Sequence, residues 1–89
     1  MKIKLELFGA SRDLSNNDHL EIEVQDKASI DDLRNEIIKY INKNFRGNEA
    51  FIKIVKSSAF CSENNEIIRD NYKITKDQKI GIIPPIGGG

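Results

Sequence analysis

The residues with the clearest potential for chemistry stand at the end of the chain, in the run Ile80-Gly81-Ile82-Ile83-Pro84-Pro85-Ile86-Gly87-Gly88-Gly89. Ile80, Ile82 and Ile83 suit a buried strand. Pro84 and Pro85 have no N–H to donate, so they end a sheet ladder and hold the following residues extended. Gly87, Gly88 and Gly89 carry no side chains to pack, and a chain of this kind should trail free of its domain. One reading is an idle stub. The other makes the α-carboxylate of Gly89 the working group. A glycine tail is the slimmest chain available and can thread a channel that a β-carbon would block. A carboxylate is a poor electrophile until one oxygen becomes a good leaving group, for example by adenylation with ATP.

Other candidate groups are isolated. Cys61, between Phe60 and Ser62, reads as a core residue, with a sulfur relay as the alternative. His19 opens a strand with no Cys or His nearby, which argues against a metal role. Gly9 and Gly81 lack the spacing of a phosphate-binding loop, so no nucleotide site is expected within this chain. Lys39, Lys43, Lys53 and Lys56 read as a solvated face, each able in principle to accept an isopeptide bond.

Composition narrows the class. Eighty-nine residues make one domain with a modest core, stable by about 5–10 kcal/mol. Fourteen basic residues balance fourteen acidic ones, so neither a nucleic-acid nor a membrane surface is indicated. No apolar run reaches the length of a membrane span, and Met1-Lys2-Ile3-Lys4 alternates like a strand, unlike a signal peptide. The single cysteine excludes an internal disulfide and fits a reducing, cytoplasmic setting.

The elements that must position the tail follow from periodicity. Ile3, Leu5 and Leu7 alternate with Lys2, Lys4 and Glu6, the pattern of a strand with one buried face. Phe8 falls on the polar side of that alternation; it is expected to turn inward at the strand end, with a contact surface as the other possibility. Gly9 to Leu14 forms a turn, and Leu20, Ile22 and Val24 mark a second strand, paired antiparallel with the first. Ser29 and Asp32 form a capping box. Behind it, Ile30, Leu33, Ile37, Tyr40 and Ile41 recur at helical spacing, with Asp31, Arg34, Glu36, Lys39 and Asn42 on the other side. The helix runs from about Ser29 to Asn44, and Gly47 stops it. Glu49 to Ser58 fits a short second helix or turn. Ala59–Glu63 and Glu66–Arg69 read as short strands around Asn64-Asn65, and Asp70–Gln78 as a polar connection pinned by Tyr72 and Ile74. Lys79 to Ile83 is the final strand, placed beside the first in the sheet centre because it is the most apolar.

These elements describe an α+β fold, a β-grasp with a mixed sheet packed on one main helix. Residues 1–83 form the domain and 84–89 a flexible Pro-Pro-Ile-Gly-Gly-Gly tail. The ending resembles the small, sulfur-carrying subunit of molybdopterin synthase, of the ubiquitin-like MoaD/ThiS family, whose last strand runs into Pro-Pro, an aliphatic residue, one small residue and Gly-Gly. Leu7-Phe8-Gly9-Ala10-Ser11-Arg12-Asp13-Leu14 is similar to that family's first strand end and turn, and Ala28-Ser29-Ile30-Asp31-Asp32-Leu33-Arg34 to its helix start. The resemblance covers nearly the whole chain. Gly87 stands where the family usually has Ser or Thr, and Lys76-Asp77-Gln78 where it usually has Asp-Gly-Asp.

The resemblance implies a mechanism. An E1-like adenylyltransferase would activate the carboxylate of Gly89 with ATP, and a sulfur donor would convert it to a thiocarboxylate. Gly88 would accompany it through a narrow channel. Ile83, Pro84, Pro85, Ile86 and Gly87 would dock on the large subunit of molybdopterin synthase. The catalytic pocket is expected there, where sulfur is built into the dithiolene of molybdopterin. No cofactor or metal would be bound by this chain. Two alternatives stay open: a thiazole-pathway sulfur carrier, whose usual tail lacks the double proline, and a protein modifier conjugated through Gly89.

Overall fold

The computed structural model describes residues 1–85. In strand β1 (Lys2–Leu7) the side chains of Ile3, Leu5 and Leu7 are buried, while Lys2 and Lys4 are exposed. Strand β2 (His19–Glu23) pairs antiparallel with β1 and sets Ile3 against Ile22 and Leu5 against Leu20. The turn between them is a 3-10 helix over Gly9–Leu14. A two-residue strand, β3 (Ala28–Ser29), leads into helix α1 (Ile30–Asn44), and helix α2 (Glu49–Ser57) follows. Strands β4 (Ala59–Cys61) and β5 (Ile67–Ile68) form a hairpin whose turn carries Asn65 at φ 63°. A second short strand, β6 (Lys73–Ile74), pairs with β3, and β7 (Gln78–Ile83) completes the chain's regular structure.

The large sheet has the order β2-β1-β7-β4-β5. Strand β7 lies parallel to β1 and antiparallel to β4. That is the β-grasp arrangement expected from the sequence, with the apolar last strand in the centre. Its inward side chains, Ile80 and Ile82, join Ile3, Leu5, Leu7 and Phe60 beneath Leu33, Ile37 and Ile41 of α1, all essentially inaccessible.

The start of α1 is fixed as its sequence demands. Ser29 Oγ accepts from the backbone N–H of Asp32 at 3.0 Å, and Asp32 Oδ2 accepts from the backbone N–H of Ser29 at 2.9 Å. The other end stops at Phe45, with Arg46 and Gly47 in the left-handed region. The helical reading of the segment after it holds: α2 is a helix, N-capped by Asn48, whose side chain accepts from the N–H groups of Ala50 and Phe51.

One pairing is added to the expected elements and one expectation is corrected. The pairing of β3 with β6 is an addition, because two residues per strand are too few to show a period. Tyr72 and Ile74 pin their connection as expected: Ile74 is buried, and although the Tyr72 ring is exposed, its backbone carbonyl accepts from the N–H of Ile30. Arg34, placed by periodicity on the solvent side of α1, is largely covered, with 12% side-chain exposure. Its Nη1 donates to the carbonyls of Val55 (3.2 Å), Lys56 (2.9 Å) and Ser58 (3.1 Å), and Nη2 donates to Asp70 Oδ1 at 2.8 Å. The guanidinium also lies 5.0 Å from the centre of the Phe60 ring. A cation is thus fixed at the C-terminal end of α2, where carbonyl groups lack helical partners.

Arg34→Ala should therefore destabilise the domain by about 2–4 kcal/mol, since it strands partly covered carbonyls. Arg34→Lys should recover only part, because an ammonium cannot reproduce the planar fork. Asp70→Asn should cost less than about 0.5 kcal/mol, as Asp70 is mostly exposed. Urea denaturation of the three variants checks this order; equal losses would refute it. The capping box gives a pH prediction. Hydrogen bonds from the backbone N–H and side chain of Ser29 hold the Asp32 carboxyl below its usual value. A carboxyl lowered in the folded state contributes stability above its unfolded pKa of about 3.9 and loses it as pH falls through the folded value. Asp32→Asn should flatten that part of the acid limb, below about pH 4, in stability measured against pH.

Candidate functional site

The site is built where β1 and β7 end side by side. Their parallel register pairs Glu6 with Gly81 and Leu7 with Ile82, so Phe8 follows beside the end of β7. Alternation sends Ile80 and Ile82 inward and leaves Gly81 and Ile83 on the outer face of the sheet. On that face Gly81 is in register with Cys61, and Cys61 with Ile67; Ile83 is in register with Ala59. The result is an apolar surface at the root of the tail on a sheet whose other outward residues in β1 and β2 are mostly charged. Phe8, Ile83 and Ile67 are 41%, 36% and 67% exposed. Lys79 and Glu6 form an ion pair of 3.6 Å at its margin.

Phe8 does not turn into the core, contrary to expectation. The core is filled at that end by Leu7, Leu14 and Ile82, so the ring stays on the outer face and lies across Gly81. A β-carbon at Gly81 would come within 2.8 Å of Phe8 Cε2 and 2.8 Å of Cys61 Sγ. Close approach of two side chains therefore explains a glycine in the middle of a central strand. Cys61 is buried as expected, but on the outer face of the sheet beside Gly81 and outside the cluster under α1. The backbone of Phe8 is fixed as well: its carbonyl accepts from Ser11 N–H at 3.2 Å and from Ser11 Oγ at 2.6 Å. Tyr40 Oη of α1 donates to the carbonyl of Leu14 at 2.9 Å and secures the far end of the same 3-10 turn.

Of the expected site residues, Ile83 is exposed beside Phe8, Pro84 is buried and Pro85 is exposed. Pro84 lies against Gly9, where an added β-carbon would sit 3.9 Å from its Cγ and Cδ; Gly9 has φ +55°, a conformation that favours glycine. Ile86, Gly87, Gly88 and Gly89, with the flexibility expected of the tail, lie outside the described residues. His19 Nδ1 is 3.2 Å from Asp18 Oδ1, and this hydrogen bond holds the Asp18 carboxyl below its usual value. Lys39, Lys43, Lys53 and Lys56 are exposed. The arrangement offers an apolar contact surface and a strand end that projects the chain from it.

The ThiS family profile matches residues 5–89, all but the first four residues. The chain belongs to the ThiS family. Members of this ubiquitin-like MoaD/ThiS group share the fold, and three solved structures agree with it. SAMP1 from Haloferax volcanii has a TM-score of 0.68 at 13% identity, with all of both chains covered. The Pyrococcus furiosus protein described as molybdopterin converting factor, subunit 1, has a TM-score of 0.69 at 24% identity, covering 96% of this chain and 98% of that one. The ubiquitin of Caldiarchaeum subterraneum has a TM-score of 0.61 at 18% identity, covering 100% and 98%. No curated protein matches the chain in sequence. Among the described residues, no helix of this ThiS-family chain is long and apolar enough to cross a membrane.

Ile67 is the part of the surface with no counterpart in the sequence expectations, and Phe8 takes the contact-surface place that was its second possibility. Phe8 breaks the alternation of β1 on the polar side, and Ile67-Ile68 in a strand obliges one of the two to face outward. Both signals were present, but neither tells which face stays open. The geometry separates neighbouring residues of β7. Ile83→Asp should change stability by less than about 1 kcal/mol, because Ile83 faces outward. Ile82→Ala should cost about 2–5 kcal/mol, because Ile82 is wholly buried. Thermal and urea denaturation check the contrast, and a larger loss for Ile83→Asp would refute this placement.

Proposed function

We propose that this ThiS-family chain is the sulfur-carrier subunit of a molybdopterin synthase. The carrying observation is the apolar outer surface of Phe8, Ile83 and Ile67 at the root of a strand that ends in Pro84-Pro85. A surface of this kind suits a protein partner, and a proline-terminated strand suits delivery of the following residues into it. The Pro-Pro ending of the sequence and the likeness to the Pyrococcus furiosus protein described as molybdopterin converting factor, subunit 1, support the same reading.

In this reading the Gly89 carboxylate attacks the α-phosphorus of ATP on an E1-like enzyme. Pyrophosphate leaves, and an acyl adenylate results. Sulfide (HS⁻) delivered by a sulfur donor then attacks the acyl carbon: the C–S bond of the thiocarboxylate forms, the C–O bond to AMP breaks, and one carboxylate oxygen leaves with AMP. Gly88 and Gly87 keep the approach narrow. The large subunit binds the outer surface of β7, with Pro84, Pro85 and Ile86 leading the thiocarboxylate into its pocket. There the sulfur passes to a cyclic pyranopterin to build the dithiolene. Two small and two large subunits complete the assembly. Tethering to a docked domain raises the effective concentration of the sulfur.

The test is mass spectrometry of the protein after incubation with ATP, an E1-like enzyme and a sulfur source. The full chain should gain the mass difference of sulfur for oxygen. The chain lacking Gly89 should keep its fold by circular dichroism and gain nothing in the same time. Equal conversion of both would overturn the assignment. Conversion only into lysine-linked conjugates would favour a protein modifier, and rescue of a strain lacking its thiazole sulfur carrier would favour the thiazole pathway.

A further inference from the structure

We propose that Phe8 is a positioning residue for the tail: its ring, seated in the slot left by Gly81, holds the start of the 3-10 turn so that Gly9 packs on Pro84 and fixes the direction in which the chain leaves the sheet. This rests on the sulfur-carrier reading and deepens it, because it assigns to a residue outside the tail the task of aiming the tail.

Several contacts carry the inference. Gly81 leaves room for a ring edge at a central strand position, and its missing β-carbon is where both Phe8 Cε2 and Cys61 Sγ would be crowded, at 2.8 Å. The slot is thus a closely fitted seat, walled on one side by a buried side chain. The Phe8 carbonyl is tied down twice by Ser11, itself buried, so ring and backbone are fixed together. The next residue, Gly9, has a positive φ and lies beside Pro84, whose Cγ and Cδ an added β-carbon would meet at 3.9 Å. Pro84 is the first residue of the chain beyond β7, and it is buried although it lies outside the sheet. A buried proline with fixed φ, next to Gly9, has little freedom to swing. Its orientation passes to Pro85, whose φ is fixed too.

A purely docking Phe8 and a positioning Phe8 have different kinetic consequences. Loss of a docking contact weakens binding of the domain to the activating enzyme and raises KM at constant kcat. Loss of aim leaves the domain bound with its carboxylate misplaced, and misplacement of a reacting group by about 1 Å can cost up to about a hundred-fold in rate. The experiment is ATP–pyrophosphate exchange catalysed by the E1-like enzyme, with the full chain as the varied substrate. Phe8→Ala should lower kcat about ten-fold or more with KM changed by less than about three-fold. Phe8→Tyr, which keeps the ring, should recover most of the rate. Gly81→Ala should resemble Phe8→Ala, because a β-carbon must displace the ring from its slot.

Two measurements on the free protein accompany the kinetics. Nuclear Overhauser contacts between the Gly9 α-protons and the Pro84 ring should weaken in Phe8→Ala and in Gly81→Ala. Alkylation of Cys61 by iodoacetamide should accelerate in Phe8→Ala while circular dichroism stays that of the fold. A rise in KM alone for Phe8→Ala, or Gly9–Pro84 contacts of undiminished strength in both variants, would overturn the proposal. Should the unaltered chain support no exchange, the sulfur-carrier reading fails by itself. The Gly9–Pro84 contacts then decide the clamp: their loss upholds it and their persistence refutes it.

Discussion

The structure depends on one constraint, the central position of β7. Its inward residues, Ile80 and Ile82, are completely buried, and it is paired on one side with β1 and on the other with β4. A strand so placed has its backbone groups satisfied by two neighbours and its inner side chains by α1. It cannot shift by one residue without exchanging Ile82 for Ile83 and Ile80 for Gly81 across the sheet. That register also determines where pairing must stop, because Pro84 and Pro85 have no N–H to offer. The exit point of the chain is therefore set by the core and not by the loop that precedes it.

The same register places the contact surface. With Ile82 inward, Ile83 must face out, and it emerges next to Phe8 because β1 and β7 run parallel and end together. Ile67 reaches the same face through Gly81 and Cys61, across two further pairings. An antiparallel neighbour in place of β1 would have put a strand start, and not the Phe8-Gly9 corner, beside the exit. Gly81 can be understood in the same way. A glycine weakens a strand centre, and here that cost is accompanied by the seat it provides for the Phe8 ring.

Much of this was legible in the sequence. The alternation of Ile3, Leu5 and Leu7, the Ser29/Asp32 cap, the 3.6-residue period of Ile30 to Ile41 and the apolar run at Ile80 to Ile83 are each local patterns long enough to be unambiguous. The β-grasp order followed from them. What escaped was decided by partners distant in sequence. Arg34 obeys the helical period yet is drawn under α2 because that helix ends in carbonyls needing a donor. The pairing of β3 with β6 involves two residues on each side and leaves no period. Phe8 was expected inside, and only the filling of the core by Leu7, Leu14 and Ile82 shows why it stays out.

In the proposed function the chain works as a carried reagent whose sulfur is consumed on another protein. The most direct measurement supplies the thiocarboxylated full chain to a molybdopterin synthase large subunit with cyclic pyranopterin, and follows both products. Molybdopterin dithiolene is expected, with the Gly89 thiocarboxylate returned to carboxylate in proportion to the sulfur transferred. A thiocarboxylate that persists unchanged in the presence of an active large subunit, with no dithiolene formed, would contradict it.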